Sequence, residues 1–241
     1  EFERGGVAAL GRLVGEDGAD RIEDALRKLV PFEHVLLVQL ARGDAAVEIV
    51  DQDGETVSAR QVIVTAPAPQ AARLLQTAAP DLAALAATAS YAPCWTAMYG
   101  FDTAPPAHDP APVGDADGPV GWALWESDRP GGDPSNHALT VQAAPGWSIE
   151  HLEDEAADVA RALLLAWQDA SGQTVGTPAL TSAHRWRYAR VVTPAAADEP
   201  VISPCGRLAV AGDWLGGARI ENAFLSGAQA AAALAAARHS L

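Results

Sequence analysis

The stretch that decides the fold is 208–227, LAVAGDWLGGARIENAFLSG, near the end of a chain of 241 residues. Its first four residues are apolar and typical of a buried strand. Gly212 predicts a tight turn, and the Gly216-Gly217 pair predicts a loop. Alanine-rich sequence follows, which predicts a helix from about residue 220 to residue 238. The segment therefore predicts a strand, an acidic glycine turn and a helix.

The end of this strand has properties suited to binding an electron-accepting ring. The Asp213 carboxylate accepts hydrogen bonds from sugar or ribityl hydroxyls, and Gly212 allows a ligand to approach the backbone closely. The amides at the helix start, around Arg219, Ile220 and Glu221, form a positive end that would stabilise electron density on a reduced flavin. The pattern alone fits a second interpretation equally well. In that interpretation Gly212-Asp213 is only a tight turn and Gly216-Gly217 is only a flexible loop, without a ligand.

Upstream of this segment, short β-rich runs predict an antiparallel meander at 34–65, and two amphipathic helical stretches precede it. Ser148 is predicted as the N-cap of a helix that ends at Gly172. Further strands are predicted at 91–101, 120–126 and 138–144, and near 178–190 and 207–211. These elements predict a mixed α/β (α+β) chain with an antiparallel sheet.

One strand candidate, HRWRYAR, alternates aromatic and basic side chains. As a strand it places His184, Trp186 and Tyr188 on one face, and Arg185 and Arg187 on the other. Two interpretations stay open. Either these side chains contact a ligand, or the tryptophan is a core residue and the arginines form solvated salt bridges.

Composition and charge exclude several classes of function. With 16 basic and 31 acidic residues the net charge is −15, so neither nucleic acid nor an anionic membrane surface is expected as a partner. No apolar run reaches the roughly 18 residues needed to cross a bilayer. The histidines are scattered and hydrolase motifs are absent, so no metal site and no catalytic residue is predicted. Cys94 and Cys205 lie far apart without a partner motif, which fits a cytoplasmic setting.

The segment from Gly212 to Gly227 resembles the carboxy-terminal FAD motif of the flavin amine-oxidase superfamily, and more narrowly that of renalase-like proteins. Four further segments resemble renalases in the expected order, at 62–70, 92–98, 145–148 and 184–189. The resemblance extends over about residues 5–238. It implies that an antiparallel substrate-domain sheet with helices is joined to the C-terminal part of a Rossmann-like FAD domain. The implied boundaries are 1–67 and 206–241 for FAD-domain parts, and 68–205 for the substrate domain.

The resemblance also implies roles for individual residues. Val35 would meet the adenine of FAD through its backbone, Asp213 would contact the ribityl and pyrophosphate region, and Ile220 with its neighbours would bring helix amides to the flavin. Trp186 and Tyr188 would help form the wall of the substrate cavity, and an arginine of the same strand would meet phosphates of a dinucleotide donor. Trp214, beside the Asp213 turn, is a further candidate for substrate contact.

The implied activity is the oxidation of a small-molecule hydride donor. Renalases act on misreduced dihydronicotinamide isomers and pass the electrons to oxygen. Hydride transfer between stacked rings requires orientation and electrostatics and no strong protein acid or base, which suits a sequence without a catalytic dyad. Many amine oxidases have a lysine facing the flavin, whereas Lys28 is the only lysine of this chain and has no obvious match.

The sequence departs from the family in one respect. Family members begin with a βαβ unit bearing GxGxxG, and this motif is absent here. We therefore expect the chain alone to bind FAD weakly or not at all. It is then either one piece of a split or cleaved enzyme, with a separate chain carrying the GxGxxG half, or a truncated relative. Two alternatives stay open: a non-catalytic accessory chain that has lost FAD, and another superfamily member such as a desaturase or protoporphyrinogen oxidase.

Overall fold

A computed structural model describes residues 37–42, 46–51, 54–105, 114, 118–197 and 201–237. Val35, Lys28 and the two helical stretches predicted before residue 34 lie outside the described residues. Within the described residues the strands are β1 (Leu37–Arg42), β2 (Val47–Asp51), β3 (Thr56–Ala59), β4 (Val62–Val64), β5 (Ser90–Gly100), β6 (Val120–Trp125), β7 (Ala138–Ala143), β8 (Leu180–Thr193) and β9 (Leu208–Val210). The helices are α1 (Ala68–Leu75), α2 (Pro80–Ala86), α3 (Pro145–Glu150), α4 (Ala156–Ser171) and α5 (Ile220–Ala237).

The largest sheet is antiparallel and four-stranded, in the order β6-β7-β5-β8. Alternate side chains of β5 point into a core, where Trp95, Ala97 and Tyr99 are buried. Helix α4 covers this face with Leu163 and Trp167, and the Tyr99 hydroxyl donates a hydrogen bond to the Ala160 carbonyl at 2.6 Å. We call this sheet and its covering helix the sheet–α4 unit.

The helix predicted to begin at Ser148 is divided into two. The short α3 ends at Glu150, and α4 begins after Glu155, whose backbone is extended. Ser148 is therefore not an N-cap: it lies inside α3, and its hydroxyl accepts a hydrogen bond from the Trp95 amide at 3.2 Å. The predicted end at Gly172 is confirmed, because this residue adopts the left-handed conformation with φ of 68°.

The meander differs from the prediction in its third strand. Strands β1, β2 and β3 form an antiparallel three-stranded sheet, so the third strand is the polar stretch TVSA. The predicted third run, which becomes β4, pairs instead with β9, and it does so in parallel. Strand β3 was not predicted because its side chains are mostly polar and show no hydrophobic alternation. The pairing of β4 was not predicted because its parallel partner lies more than 140 residues away in sequence.

A second core joins the meander to the parallel pair. Helices α1 and α2 contribute Leu75 and Leu82 to it, and β9 contributes Leu208 and Val210. A third, smaller cluster joins β9 to α5 through Ala230 and other small residues. We call β4, β9 and α5 the β9–α5 unit. The predicted mixed α/β fold with an antiparallel sheet is confirmed, and the domain boundaries stay a prediction.

Candidate functional site

The turn after β9 requires a glycine at position 212. Gly212 has a φ of +152°, a backbone conformation that side chains disfavour. A Cβ built there would lie 2.7 Å from both Cδ1 and Nε1 of Trp214. Nothing larger than hydrogen fits at this position, and the backbone of the turn lies directly against the indole.

A serine that the sequence analysis overlooked fixes this turn to α5. The Gly212 amide donates a hydrogen bond to the Ser226 hydroxyl at 2.9 Å. That hydroxyl lies 3.1 Å from the Gly212 carbonyl and 3.0 Å from the Ala223 carbonyl, so it donates to one of them at a time. Ser226 is buried one turn before Ala230. A polar residue within the buried stripe of an apolar helix is the sequence signal that could have identified it.

The Asp213 carboxylate remains available for a ligand. The backbone carbonyl of Asp213 accepts hydrogen bonds from the Gly216 and Gly217 amides at 3.3 and 2.8 Å, and these bonds close the turn. Its half-buried carboxylate makes no hydrogen bond or ion pair within the described residues. Burial raises the pKa of the Tyr91 phenol, a bond from the Ala68 amide opposes this, and the Asp213 charge adds to the rise. Asp213 and Tyr91 are thus electrostatic neighbours.

The predicted amide-rich helix start is open to solvent. The amides of Asn222 and Ala223 bond the Arg219 carbonyl at 3.1 and 3.2 Å, and the Asn222 side chain donates to the Gly216 carbonyl at 2.6 Å. Arg219, Ile220 and Glu221 are exposed, so the three predicted residues lie together at the surface of the turn. The asparagine fixes the Gly-Gly loop to the helix start.

The aromatic strand is split between two neighbourhoods. Trp186 is 54% exposed and meets His184 edge-on at a ring distance of 4.3 Å. Between Trp186 and Arg190 the pairing with β5 shifts, and this bulge interrupts the predicted alternation. Tyr188 packs edge-on against Tyr91 at 5.7 Å.

The arginines of this strand form salt bridges, as one of the two open interpretations expected. Arg185 and Arg187 lie 2.7 and 2.8 Å from the two carboxylate oxygens of Glu153. The hydrogen bond from Arg187 lowers the pKa of Glu153, and the same bond raises the pKa of Arg187. Arg185 also lies over the Trp95 ring, 5.7 Å from its centroid. Both arginines are thus paired with the Glu153 carboxylate.

The aromatic strand and the acidic turn are joined directly. Beyond β8 the Ala195 amide donates a hydrogen bond to the Trp214 carbonyl at 2.8 Å. Tyr188 contacts Tyr91, and Tyr91 neighbours Asp213. Tyr188 thus packs on a tyrosine whose pKa is affected by the Asp213 charge, while Trp186 lies further along the same strand.

Trp214 was predicted to contact the substrate, but it lies in the protein core. Its side chain is 1% exposed and packs in the core shared by α1, α2 and β9. Its indole Nε1 is buried and has no hydrogen-bond partner among the residues that the structure describes. Buried donors are nearly always paired in proteins, so this one marks a place where an acceptor is expected.

These features fit one portion of FAD. The half-buried Asp213 carboxylate, which is unpaired within the described residues, can accept hydrogen bonds from hydroxyls. Beside it the buried Trp214 indole fills the Cβ side of Gly212, so the expected close approach of a ligand to that backbone is not seen. The carboxylate suits the ribityl hydroxyls. No group of three histidine, cysteine or acidic side chains in the described parts of the chain is arranged to hold a metal ion. None of the helices described is long and apolar enough to span a membrane.

Comparison with known families identifies the class of protein to which this site belongs. Residues 3–235 match the family of flavin-containing amine oxidoreductases. The chain belongs to this family, whose cofactor is a flavin, and the prediction of a flavin as cofactor agrees with it. The narrower resemblance to renalases stays a prediction.

Solved structures show the same fold at low sequence identity. A protein designated a protoporphyrinogen oxidase, from Exiguobacterium sp. 255-15, is 16% identical with a TM-score of 0.61, over 93% of this chain and 51% of that one. The cyclohexylamine oxidase of Brevibacterium oxydans IH-35A is 16% identical with a TM-score of 0.57, over 92% and 52%. Putrescine oxidase bound to putrescine is 12% identical with a TM-score of 0.60, over 90% and 51%. The chain therefore spans about half the length of these structures.

Proposed function

We propose that this chain is part of an FAD-dependent oxidoreductase of renalase type. It oxidises a dihydronicotinamide isomer by hydride transfer, and the electrons pass to oxygen. We also propose a cytoplasmic location, because the two cysteines, Cys94 and Cys205, lie far apart in the sequence and outside any CxxC motif.

The observation that supports this proposal is the junction between β8 and the acidic turn. The strand that carries the aromatic side chains is hydrogen-bonded, through Ala195, to the turn that carries Asp213. A cofactor held at the turn and a donor ring held on the strand would then be neighbours. Proximity and orientation are the main requirements of hydride transfer between rings.

Residues of the turn would hold the cofactor. Asp213 accepts hydrogen bonds from ribityl hydroxyls, and the helix start at the exposed residues Ile220 and Glu221 favours negative charge. When bound, FAD supplies the acceptor of the hydride. Ser226 and Asn222 hold the turn and its loop in place without touching the ligand.

Residues of the open sheet face would hold the donor. Trp186 presents a half-exposed ring on which a planar nicotinamide can stack, and His184 supports that ring edge-on. The residues paired with this part of β8 include Cys94 and Thr96, and none of these side chains carries a carboxylate. A neutral ring suits this face better than an alkylammonium group, which favours a dihydronicotinamide over an amine as the donor.

The test is anaerobic reduction of the flavin-loaded protein, followed as loss of oxidised-flavin absorbance. We expect 2- and 6-dihydronicotinamide isomers to reduce the flavin, and putrescine and cyclohexylamine to leave it oxidised. Reduction by the amines alone would replace the renalase-type reaction with amine oxidation. A protein that carries no flavin when purified from its own cells would instead indicate the non-catalytic accessory chain.

A matched pair of variants tests the role of the sheet face. Trp186→Ala should raise the KM for the donor about tenfold, which corresponds to about 1.4 kcal/mol, while flavin content stays unchanged. Val192→Ala removes another exposed apolar side chain from the same strand and should leave the KM unaltered. Equal effects of the two substitutions would show that Trp186 is not a donor platform.

A further inference from the structure

The open face of the four-stranded sheet, which is turned away from α4, carries a row of polar side chains. Alternate residues of β5 and β7 are buried under α4, and the residues between them belong to the open face. Thr96 of β5 and Gln142 of β7 are two such residues, and they are paired directly with each other. On its other side Thr96 is paired with His184 of β8. We call Gln142, Thr96 and His184 the polar row.

A tryptophan lies at each end of the polar row. Trp122 of β6 is paired with Gln142, and Trp186 meets the His184 ring edge-on at 4.3 Å. Neighbouring strands of a sheet lie about 4.8 Å apart, so β7 and β8 are separated by about 10 Å across β5. Because Thr96 is shorter than the side chains on either side of it, the row is lowest in its middle. A small planar ring fits there, between Trp186 and Gln142.

The hydroxyl at the middle of the row has spare hydrogen-bonding capacity. Thr96 is only 8% exposed, although it lies on the open face. Within the residues that the structure describes, its Oγ1 contacts only the Cys94 thiol, at 3.9 Å. A thiol is a weak hydrogen-bond partner, whereas buried hydroxyls normally have a strong one. The floor of the row is therefore suited to a polar ligand.

The side chain of Gln142 offers a particular set of hydrogen-bonding groups. It is exposed and makes no hydrogen bond within the described parts of the chain. Its primary amide presents a carbonyl acceptor and two N–H donors. The carboxamide of nicotinamide presents the same groups, so the two amides can pair through two reciprocal hydrogen bonds. An acetyl group in place of the carboxamide only accepts, and it can form one of these bonds at most.

We propose that Gln142 is a specificity-determining residue that binds the carboxamide of a dihydronicotinamide donor while the donor ring stacks on Trp186. This inference rests on the proposed function and deepens it, because it states which group of the donor is recognised. A ring held at two points has a fixed orientation in the plane of the sheet face. Fixed orientation is the main requirement of hydride transfer between rings.

The experiment compares carboxamide donors with their 3-acetyl counterparts. The flavin-loaded parent and Gln142→Leu are reduced anaerobically by the 2- and 6-dihydronicotinamide isomers and by the matching dihydro-3-acetylpyridines. The parent should show a KM about tenfold lower for the carboxamide donors. Gln142→Leu should raise that KM about tenfold and bring the two kinds of donor within about twofold of each other. Flavin content and circular dichroism should stay unchanged, because the side chain is exposed.

A second glutamine provides the matched control. Gln70 is exposed on α1, outside the sheet, and Gln70→Leu makes the same chemical change there. This variant should keep the tenfold preference of the parent for the carboxamide. A preference that survives in Gln142→Leu, or one that Gln70→Leu loses to the same extent, would overturn the assignment of Gln142.

Equilibrium binding separates this inference from the proposed function. Nicotinamide and 3-acetylpyridine are titrated into the parent and both variants, and binding is measured by calorimetry. If no donor reduces the flavin, yet the parent and Gln70→Leu alone prefer nicotinamide, carboxamide recognition stands and the proposed function fails. If the donors reduce the flavin without any dependence on Gln142, the function stands and this inference fails. Neither binding nor reduction in the parent would contradict both.

Discussion

The sheet–α4 unit and the β9–α5 unit solve the problem of burying apolar surface differently. In the first, four antiparallel strands pair in the order β6-β7-β5-β8 and one face is closed by α4, with Trp167 and Leu163 fully buried. In the second, two short parallel strands support a long apolar helix whose exposed side includes Phe224 and Leu225. Within the described residues the apolar face of the first unit is covered, while α5 of the second leaves apolar side chains exposed. The Gly212–Asp213 turn lies in the second unit, and its Trp214 carbonyl is hydrogen-bonded to Ala195 beyond β8.

The largest expected effect tests whether the sheet–α4 unit is self-sufficient. Trp167→Ala removes a fully buried side chain from its core and should lower the free energy of unfolding by about 3–5 kcal/mol, because both transfer free energy and packing are lost. Urea denaturation monitored by circular dichroism measures this loss in the free energy of unfolding. For comparison, Phe224→Ala on the exposed face of α5 should cost less than about 0.5 kcal/mol. A cost of several kcal/mol at Phe224 would contradict the view that its face is uncovered.

The second prediction concerns the backbone of the Gly212–Asp213 turn. Gly212→Ala should lower the free energy of unfolding by about 3 kcal/mol, because strain at its φ and overpacking against Trp214 each cost about 1–3 kcal/mol. Flavin affinity should fall as well. Thermal unfolding and an FAD titration measure the two effects.

Gly146→Ala is the control for the glycine substitution. A Cβ there meets no atom within 4 Å, and the residue lies in helix α3. This variant should be as stable as the parent chain or more stable by up to about 1 kcal/mol. If both alanines were tolerated equally, the structure assigned to the Gly212 turn would be wrong.

The third prediction concerns the attachment of α5 to the turn. Ser226→Ala removes the acceptor of the buried Gly212 amide and should cost about 1–2 kcal/mol. Ser182→Ala, on the exposed part of β8, should cost nothing measurable. Because the turn would loosen, hydrogen exchange at the Gly212 amide should accelerate in the first variant only. Unchanged exchange in Ser226→Ala would show that the hydroxyl does not hold the turn.

Local sequence signals anticipated the elements that depend on near neighbours. The apolar stripe of α4 and its stop at Gly172 follow from spacing and from the left-handed preference of glycine, and the Gly212 turn follows from the same preference. The polar strand β3 has no such signal, and the tertiary packing of Ser148 on Trp95 overrode its capping preference.

Parts of the candidate site that depend on distant partners could not be read from the chain. The pairing of Gly212 with Ser226, and the approach of Tyr91 to Asp213, join residues from separate elements. The prediction that Trp186 and Tyr188 share a face assumed a regular strand, and the bulge after Trp186 is set by pairing with β5. The ion pairs of Arg185 and Arg187 could not be predicted, because their partner Glu153 lies 32 and 34 residues away in sequence.

The smallest expected effect concerns the ion pairs that fasten β8 to the segment between α3 and α4. Arg187 lowers the pKa of Glu153 below its ordinary value of 4.5. A carboxylate with a lowered folded-state pKa stabilises the fold above its ordinary pKa, and this contribution disappears as pH falls through the lowered value. Glu153→Gln should therefore flatten the decline of melting temperature below about pH 4.5 and change stability little at neutral pH, because the pair is exposed. Salt at about 1 M, which shortens the screening length to about 3 Å, should reduce the difference between the two proteins. Identical acid profiles in low salt would show that the pairs contribute nothing to the anchoring of the aromatic strand.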